Sequence, residues 1–140
     1  MPRTFIDSSH LIAVFNPHDE WHDSAIEAAE RLDAHGDPRF VTTLLVLEEF
    51  LTDLAKNDAT LKTQAAEYVD RVLGDPSIEV VEVSFELFRS GLDLYRHRLD
   101  KSYSMVDCIS MVVCRERGIT DVLTADRDFE QERFVALLRQ

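Results

Sequence analysis

The strongest constraint on this chain is a carboxylate in an apolar setting. Residues 104–114 read Ser-Met-Val-Asp-Cys-Ile-Ser-Met-Val-Val-Cys, so every residue around Asp107 except two serines is apolar. A stretch that is apolar nearly all round reads as a buried helix, and an ionised carboxylate inside it costs on the order of several kcal/mol unless a cation or hydrogen-bond donors meet it. Asp107 therefore needs a partner. One is local: Ser104 can cap the helix, which puts Asp107 at the third helical position, the Ser-x-x-Asp variant of a capping box, where the helix dipole also favours an anion.

Three further acids point to a second kind of partner. Asp7 ends the strand-like run Arg3-Thr4-Phe5-Ile6 and is followed by Ser8 and Ser9, either of which can cap a following helix. Asp126 follows the strand-like run Val122-Leu123-Thr124, with Asp128 as its alternate and an N-cap of a short turn as its simpler role. In an open parallel α/β sheet, ligands bind at the carboxyl ends of strands. Glu49 sits in the helical run of residues 44–51, one turn after Leu45 and Val46, where an exposed helical acid is the simpler reading. Four carboxylates in one crevice repel each other, and some stay protonated unless a cation is present. Carboxylates and water suit magnesium or manganese, and two such ions can flank the in-line attack of water on a phosphodiester.

In order, these segments are Phe5-Ile6-Asp7-Ser8-Ser9, Thr42-Thr43-x-x-Val46-Leu47-Glu48-Glu49, Ser104-Met105-Val106-Asp107-Cys108-Ile109-Ser110 and Leu123-Thr124-Ala125-Asp126-Arg127-Asp128-Phe129. Together they resemble the PIN-domain ribonucleases of the VapC toxin type, and the resemblance spans essentially the whole chain. It implies an α/β fold, three layers α/β/α around a central, mainly parallel sheet of four to five strands. It also implies that Asp7, Glu49, Asp107 and Asp126 carry Mg2+ or Mn2+ and hydrolyse RNA, with Thr124 as a hydroxyl beside the last acid. Further implications are a cognate antitoxin partner and a homodimer. The family's acid after a Val-Leu-x triplet selects Glu49 over its neighbour Glu48, whose side chain points about 100° away on a helix.

With 140 residues the chain is expected to form one domain, residues 1–140, able to bury a core. It has no long apolar run and no basic-then-apolar leader, so a soluble, cytoplasmic protein is expected. Cys108 and Cys114 are separated by roughly 9 Å of helical rise, too far to bridge, and read as reduced core residues. The formal net charge of −12, from 15 Lys and Arg against 27 Asp and Glu, opposes broad charge-driven RNA affinity. A phosphate, however, meets the local field more than the total, and a local basic rim suffices. The densest basic patch is residues 96–101, and Arg96, Arg98 or Lys101 is expected to contact substrate phosphate, or else to complement a helix C-terminus.

Helices are expected over residues 9–16, 21–34, 43–56, 60–73 and 84–98, a half-exposed or edge strand over residues 78–83, and a terminal strand over residues 134–138. His18 and His22 lie four apart, similar to a zinc site, but Pro17 crowds the start and no third ligand is visible, so a loop and helix start is the expectation. Two rivals share the acids. An aspartyl-phosphate phosphatase would need a second acid in the Asp7-Ser8-Ser9 segment, which lacks it. A non-catalytic acidic module binding a basic partner suits the net charge, but does not require acids in apolar contexts.

Overall fold

The computed structural model describes residues 2–140, and the five short strands it contains are explained by where the chain can bury both faces of a sheet. In chain order the elements are β1 (Thr4–Ile6), α1 (Ser8–Phe15), α2 (His22–Ala34), β2 (Phe40–Thr43), α3 (Leu44–Leu54), α4 (Ala59–Gly74), β3 (Ile78–Val81), α5 (Phe85–His97), α6 (Met105–Glu116), β4 (Asp121–Leu123), α7 (Arg127–Gln131) and β5 (Val135–Ala136), followed by a single 3-10 turn, Leu137–Arg139. The spatial order is β3-β2-β1-β4-β5, with every pairing parallel. This is the three-layer α/β/α sheet expected, at the upper end of the expected strand number. Parallel strands need crossovers, and right-handed crossovers put α1–α4 on one face and α5–α7 on the other, because the chain moves outward from β1 to β3 and then returns across to β4 and β5.

Central β1 is wholly buried, as a strand covered on both faces must be. Phe5, Val41 and Val122 are fully buried at the middle of the sheet, with Phe50 above one face and Ile109, Met111 and Phe129 among the other core side chains. Phe15, Phe50 and Tyr68 pack edge-to-face at 5.1, 5.2 and 6.2 Å, joining α1, α3 and α4. On the opposite face α5 meets α6 closely at Gly91, where a Cβ would lie 2.5 Å from Ile109 Cγ1. That contact explains the glycine within a helix, where it otherwise weakens the element.

Most helix starts follow their capping residues. Thr43, Asp58, Ser84 and Ser104 each accept a backbone N–H three residues on. Two expectations need correction. At α1 neither Ser8 nor Ser9 is the cap; the helix begins at Ser8, Asp7 holds the cap position without a side-chain cap bond, and both serines bond to carboxylates. The terminal strand is only Val135–Ala136, because the chain tightens into the 3-10 turn from Leu137. The expected edge strand is β3, shortened to four residues at the rim of the sheet.

Candidate metal centre

Strand β1 is the switch point of the sheet: the chain leaves it towards β2 on one side, and β4 pairs with it on the other. The carboxyl ends of β1 and β4 therefore open a crevice, the place where such sheets bind ligands. Asp7 follows β1 directly, and Asp126 follows β4 by way of Thr124 and Ala125. Helix α6 delivers Asp107 from its first turn, and α3 delivers Glu49.

Each acid spends one oxygen on a local bond. Asp7 Oδ2 accepts from Thr124 Oγ1 at 2.8 Å and from Ser9 Oγ at 2.9 Å. Asp107 Oδ2 accepts from the Ser104 N–H at 3.0 Å, and Ser104 Oγ in return accepts from the Asp107 N–H at 3.0 Å, completing the capping box. Asp126 Oδ1 accepts from the Asp128 N–H at 2.8 Å, and Ser8 donates its hydroxyl proton to Glu49 Oε1. The other oxygens of these four acids have no protein donor among the described residues. For Asp7 the omission is acute, since Oδ1 is buried and unpartnered. The capping reading of Asp107 holds, and the cap fixes one oxygen while leaving the other free of a protein donor.

One oxygen each from Asp107, Asp126 and Asp128 lie within 4.8 Å of one another. Asp128, the alternate for Asp126 in the sequence, stands beside it here rather than replacing it. Asp7 and Glu49 join electrostatically. Burial pushes the Asp7 carboxyl up to about 6, opposed by the Thr124 and Ser9 hydroxyls and reinforced by the charges of Glu49 and Asp126. Burial likewise pushes Asp107 up to about 7, with Asp7 and Asp126 adding repulsion. Asp128 is raised by burial and by Asp126. Glu49 is half-buried and faces the crevice through Ser8, whereas Glu48 is exposed.

Unpaired carboxylate oxygens, an orphaned buried oxygen and mutually raised proton affinities are the signature of a site short of positive charge. A hard divalent cation fits this donor set: it is bound by oxygen and would supply the charge that the protein does not. Asp107, Asp126 and Asp128, whose oxygens converge, are the candidates to hold it, with Asp7 and Glu49 linked to them through their charges. The histidine pair takes no part. His18 is exposed, and His22 Nδ1 lies 2.7 Å from the Ala13 carbonyl.

Beyond α7 the structure holds a group of opposite character that the sequence did not signal. Glu132 Oε2 accepts from Arg98 Nε and Tyr103 Oη, both at 2.9 Å, and Oε1 accepts from Arg115 at 2.6 Å. Although burial alone would raise it, these three donors hold Glu132 down to about 2. In sequence it is one acid among several at a helix end, and no spacing marks it. His10 is a further buried group without a sequence signal, its ring pushed down to about 4 by burial and so neutral in the core.

The PIN domain family model matches residues 4–134. Among solved structures, the Mycobacterium tuberculosis toxin VapC20, described as cleaving the sarcin-ricin loop, superposes with a TM-score of 0.79 at 28% identity, covering 94% of this chain and 96% of that one. VapBC2 from Rickettsia felis, solved with a DNA fragment from its promoter, superposes with a TM-score of 0.66 at 15% identity, covering 95% and 96%, a likeness of fold. Among curated proteins none matches.

Proposed function

This chain belongs to the PIN-domain family, as a ribonuclease of the VapC toxin type, and from that premise we propose that Asp7, Glu49, Asp107 and Asp126 form its catalytic metal centre for hydrolysis of RNA phosphodiesters. The single observation that carries the assignment is the convergence of one oxygen each from Asp107, Asp126 and Asp128, beside which Asp7 keeps a buried oxygen free of protein donors. Asp128 joins them as a further oxygen donor. Mg2+ or Mn2+, when bound, supplies Lewis acidity to the attacking water and positive charge to the pentavalent phosphate.

The chain's own residues do the positioning. Ser9 and Thr124 fix the Asp7 carboxylate from two sides, and Thr124 also accepts the Asp126 N–H at 3.0 Å, tying the two strand ends together. Ser104 locks Asp107 in its rotamer, and Ser8 orients Glu49. Because burial and repulsion raise Asp7 and Asp107 to about 6 and 7, the metal-free centre binds protons more tightly than ordinary carboxylates do, and a cation that favours the ionised form would displace them.

An antitoxin protein is the partner, and an exposed apolar groove of about 500 Å3 between α3 and α4, lined by Leu44, Leu47, Leu51, Val69 and Leu73, supports a protein ligand for the toxin. The chain acts as one domain, as a homodimer, in the cytoplasm. The test compares wild type with Asp107→Asn on structured RNA with magnesium, manganese or chelator, after folding of both is checked. Cleavage by wild type alone and only with metal is expected. The loss in the variant should exceed the roughly 10–100-fold typical of residues acting behind a metal ligand. Equal cleavage by both proteins would remove Asp107 from the centre.

A further inference from the structure

Around the C-terminal end of α7 this acidic protein turns basic. Arg98, Lys101, Arg115 and Arg133 line one cavity of about 490 Å3, together with Gln131 and Glu132. Glu132 is the only carboxylate in that lining, against four cations in a chain of net charge −12. It is 8% exposed and sits behind the arginines, so it acts as their anchor rather than as a competitor for the cavity. Arg98 and Arg115 keep about two-fifths of their side-chain surface open, 38% and 46%, while Glu132 holds them in place. A guanidinium fork held in this way, with N–H groups left over, is preorganised for a phosphate.

Arg133 gives an independent indication. It has a φ of 72°, the left-handed region. The Arg133 N–H bonds to the Glu130 carbonyl and the Phe134 N–H to the Phe129 carbonyl, both at 3.1 Å, while the Phe129 and Phe134 rings pack at 6.1 Å. This is a Schellman motif with its hydrophobic contact, and its left-handed residue is ordinarily glycine. An arginine there is strained, and local strain of this kind is an indication of function. Arg133 joins no ion pair among the described residues, and Lys101 reaches only its exposed neighbour Asp100, at 4.0 Å. The basic patch read from the sequence therefore divides: Arg96 pairs with Asp93 away from this cavity, and Arg115 and Arg133 replace it.

Short helix α7 connects the two regions. Asp126 caps its start and Glu132 its end, separated by about 9 Å of helical rise. Lys101 is close enough to Asp128 for its charge to favour that carboxylate's ionised form. We propose that the cavity of Arg98, Lys101, Arg115 and Arg133 is a subsite for a backbone phosphate of the RNA strand, a short stretch away from the scissile bond. The proposal rests on the ribonuclease reading. It accounts for how so acidic a protein holds a polyanion: charges beyond about 8–10 Å are screened at ordinary salt, and the strand meets this local field first.

The test uses Lys101→Gln, Arg133→Gly and the double variant, because replacing Arg98 or Arg115 would strip Glu132 of its partners. Affinity for a labelled single-stranded RNA oligonucleotide is measured by fluorescence anisotropy over a salt series, with calcium in place of magnesium, and cleavage kinetics are measured separately with magnesium. In the double variant the salt slope should fall by about 0.7, the value for one single-strand phosphate contact, and kcat/KM about tenfold, mainly through KM. Arg133→Gly should melt no lower than wild type, which separates loss of binding from loss of fold. Unchanged affinity, slope and KM in the double variant, or a wild type that does not bind the oligonucleotide, would overturn the subsite. Binding that depends on the cavity in a protein that cleaves no RNA would keep the subsite and sink the nuclease reading; cleavage with an unaltered KM would do the reverse.

Discussion

The two ends of α7 hold buried carboxylates in opposite electrical states. Asp7, 3% exposed, and half-buried Asp107 are pushed up to about 6 and 7; Glu132, 8% exposed, is held down to about 2. Burial raises all three, so burial does not separate them. The neighbours do: Glu132 has two arginines and a tyrosine, while Asp7 and Asp107 face other acids. A carboxylate completed by its own protein is a structural clamp. A group of carboxylates that face one another instead holds its protons more tightly through mutual repulsion.

The largest effect that sharpens this contrast should come from Glu132→Gln. It leaves two guanidiniums without their anion, and the folded value of about 2 against an ordinary 4.5 corresponds to about 3 kcal/mol. Because the folded pKa is depressed, this stability is fully present above about 4.5 and is lost as pH falls towards 2. Urea denaturation at pH 7 and at pH 3 should show a large difference between wild type and variant at the first and less than half of it at the second.

Removing one acid from the cluster should act with the opposite sign and, because a cap is lost with the charge, by a smaller amount. Here the folded protein binds protons more tightly than the unfolded chain, so metal-free stability should fall as pH rises from about 4 to about 7. Asp107→Asn should flatten that fall and stabilise the metal-free protein by about 1–3 kcal/mol at pH 8, and saturating magnesium should flatten it in wild type. A thermal melting series with and without chelator measures both. If Asp107→Asn instead destabilises the protein at pH 8, its capping role outweighs the repulsion, since loss of a cap costs about 1 kcal/mol.

The smallest contrast lies between adjacent residues of α3. Glu49→Gln should lower metal-dependent RNA cleavage by at least about 10–100-fold, and Glu48→Gln should leave it within about twofold of wild type, with stability changes under about 0.5 kcal/mol at exposed Glu48. Steady-state cleavage rates at fixed magnesium distinguish the two.

The local signals in the sequence were sound where one element settled them. Ser104 with Asp107 spells a capping box that the helix uses, and Thr43 and Ser84 cap as their positions suggest. Asp7 and Asp126 were legible as strand-end acids because a short apolar run precedes each, and the parallel sheet then puts those ends side by side. Ser8 and Ser9 misled because a hydroxyl beside a helix start reads as a cap, whereas a nearby carboxylate, Glu49 for Ser8 and Asp7 for Ser9, is the stronger acceptor.

What the sequence by itself determined is the inventory and order: short apolar runs that read as strands, capped helices between them, and acids at the ends of two of those runs. Tertiary structure alone decided which charges meet. Glu132 finds Arg98 and Arg115, which lie 34 and 17 residues away in the chain, and Asp7 finds Thr124 across 117. Such pairings carry no periodicity, because they depend on crossovers and strand order rather than on the spacing of side chains along one element. The same chemical group therefore becomes a clamp at one end of a five-residue helix and a member of a mutually repelling cluster at the other.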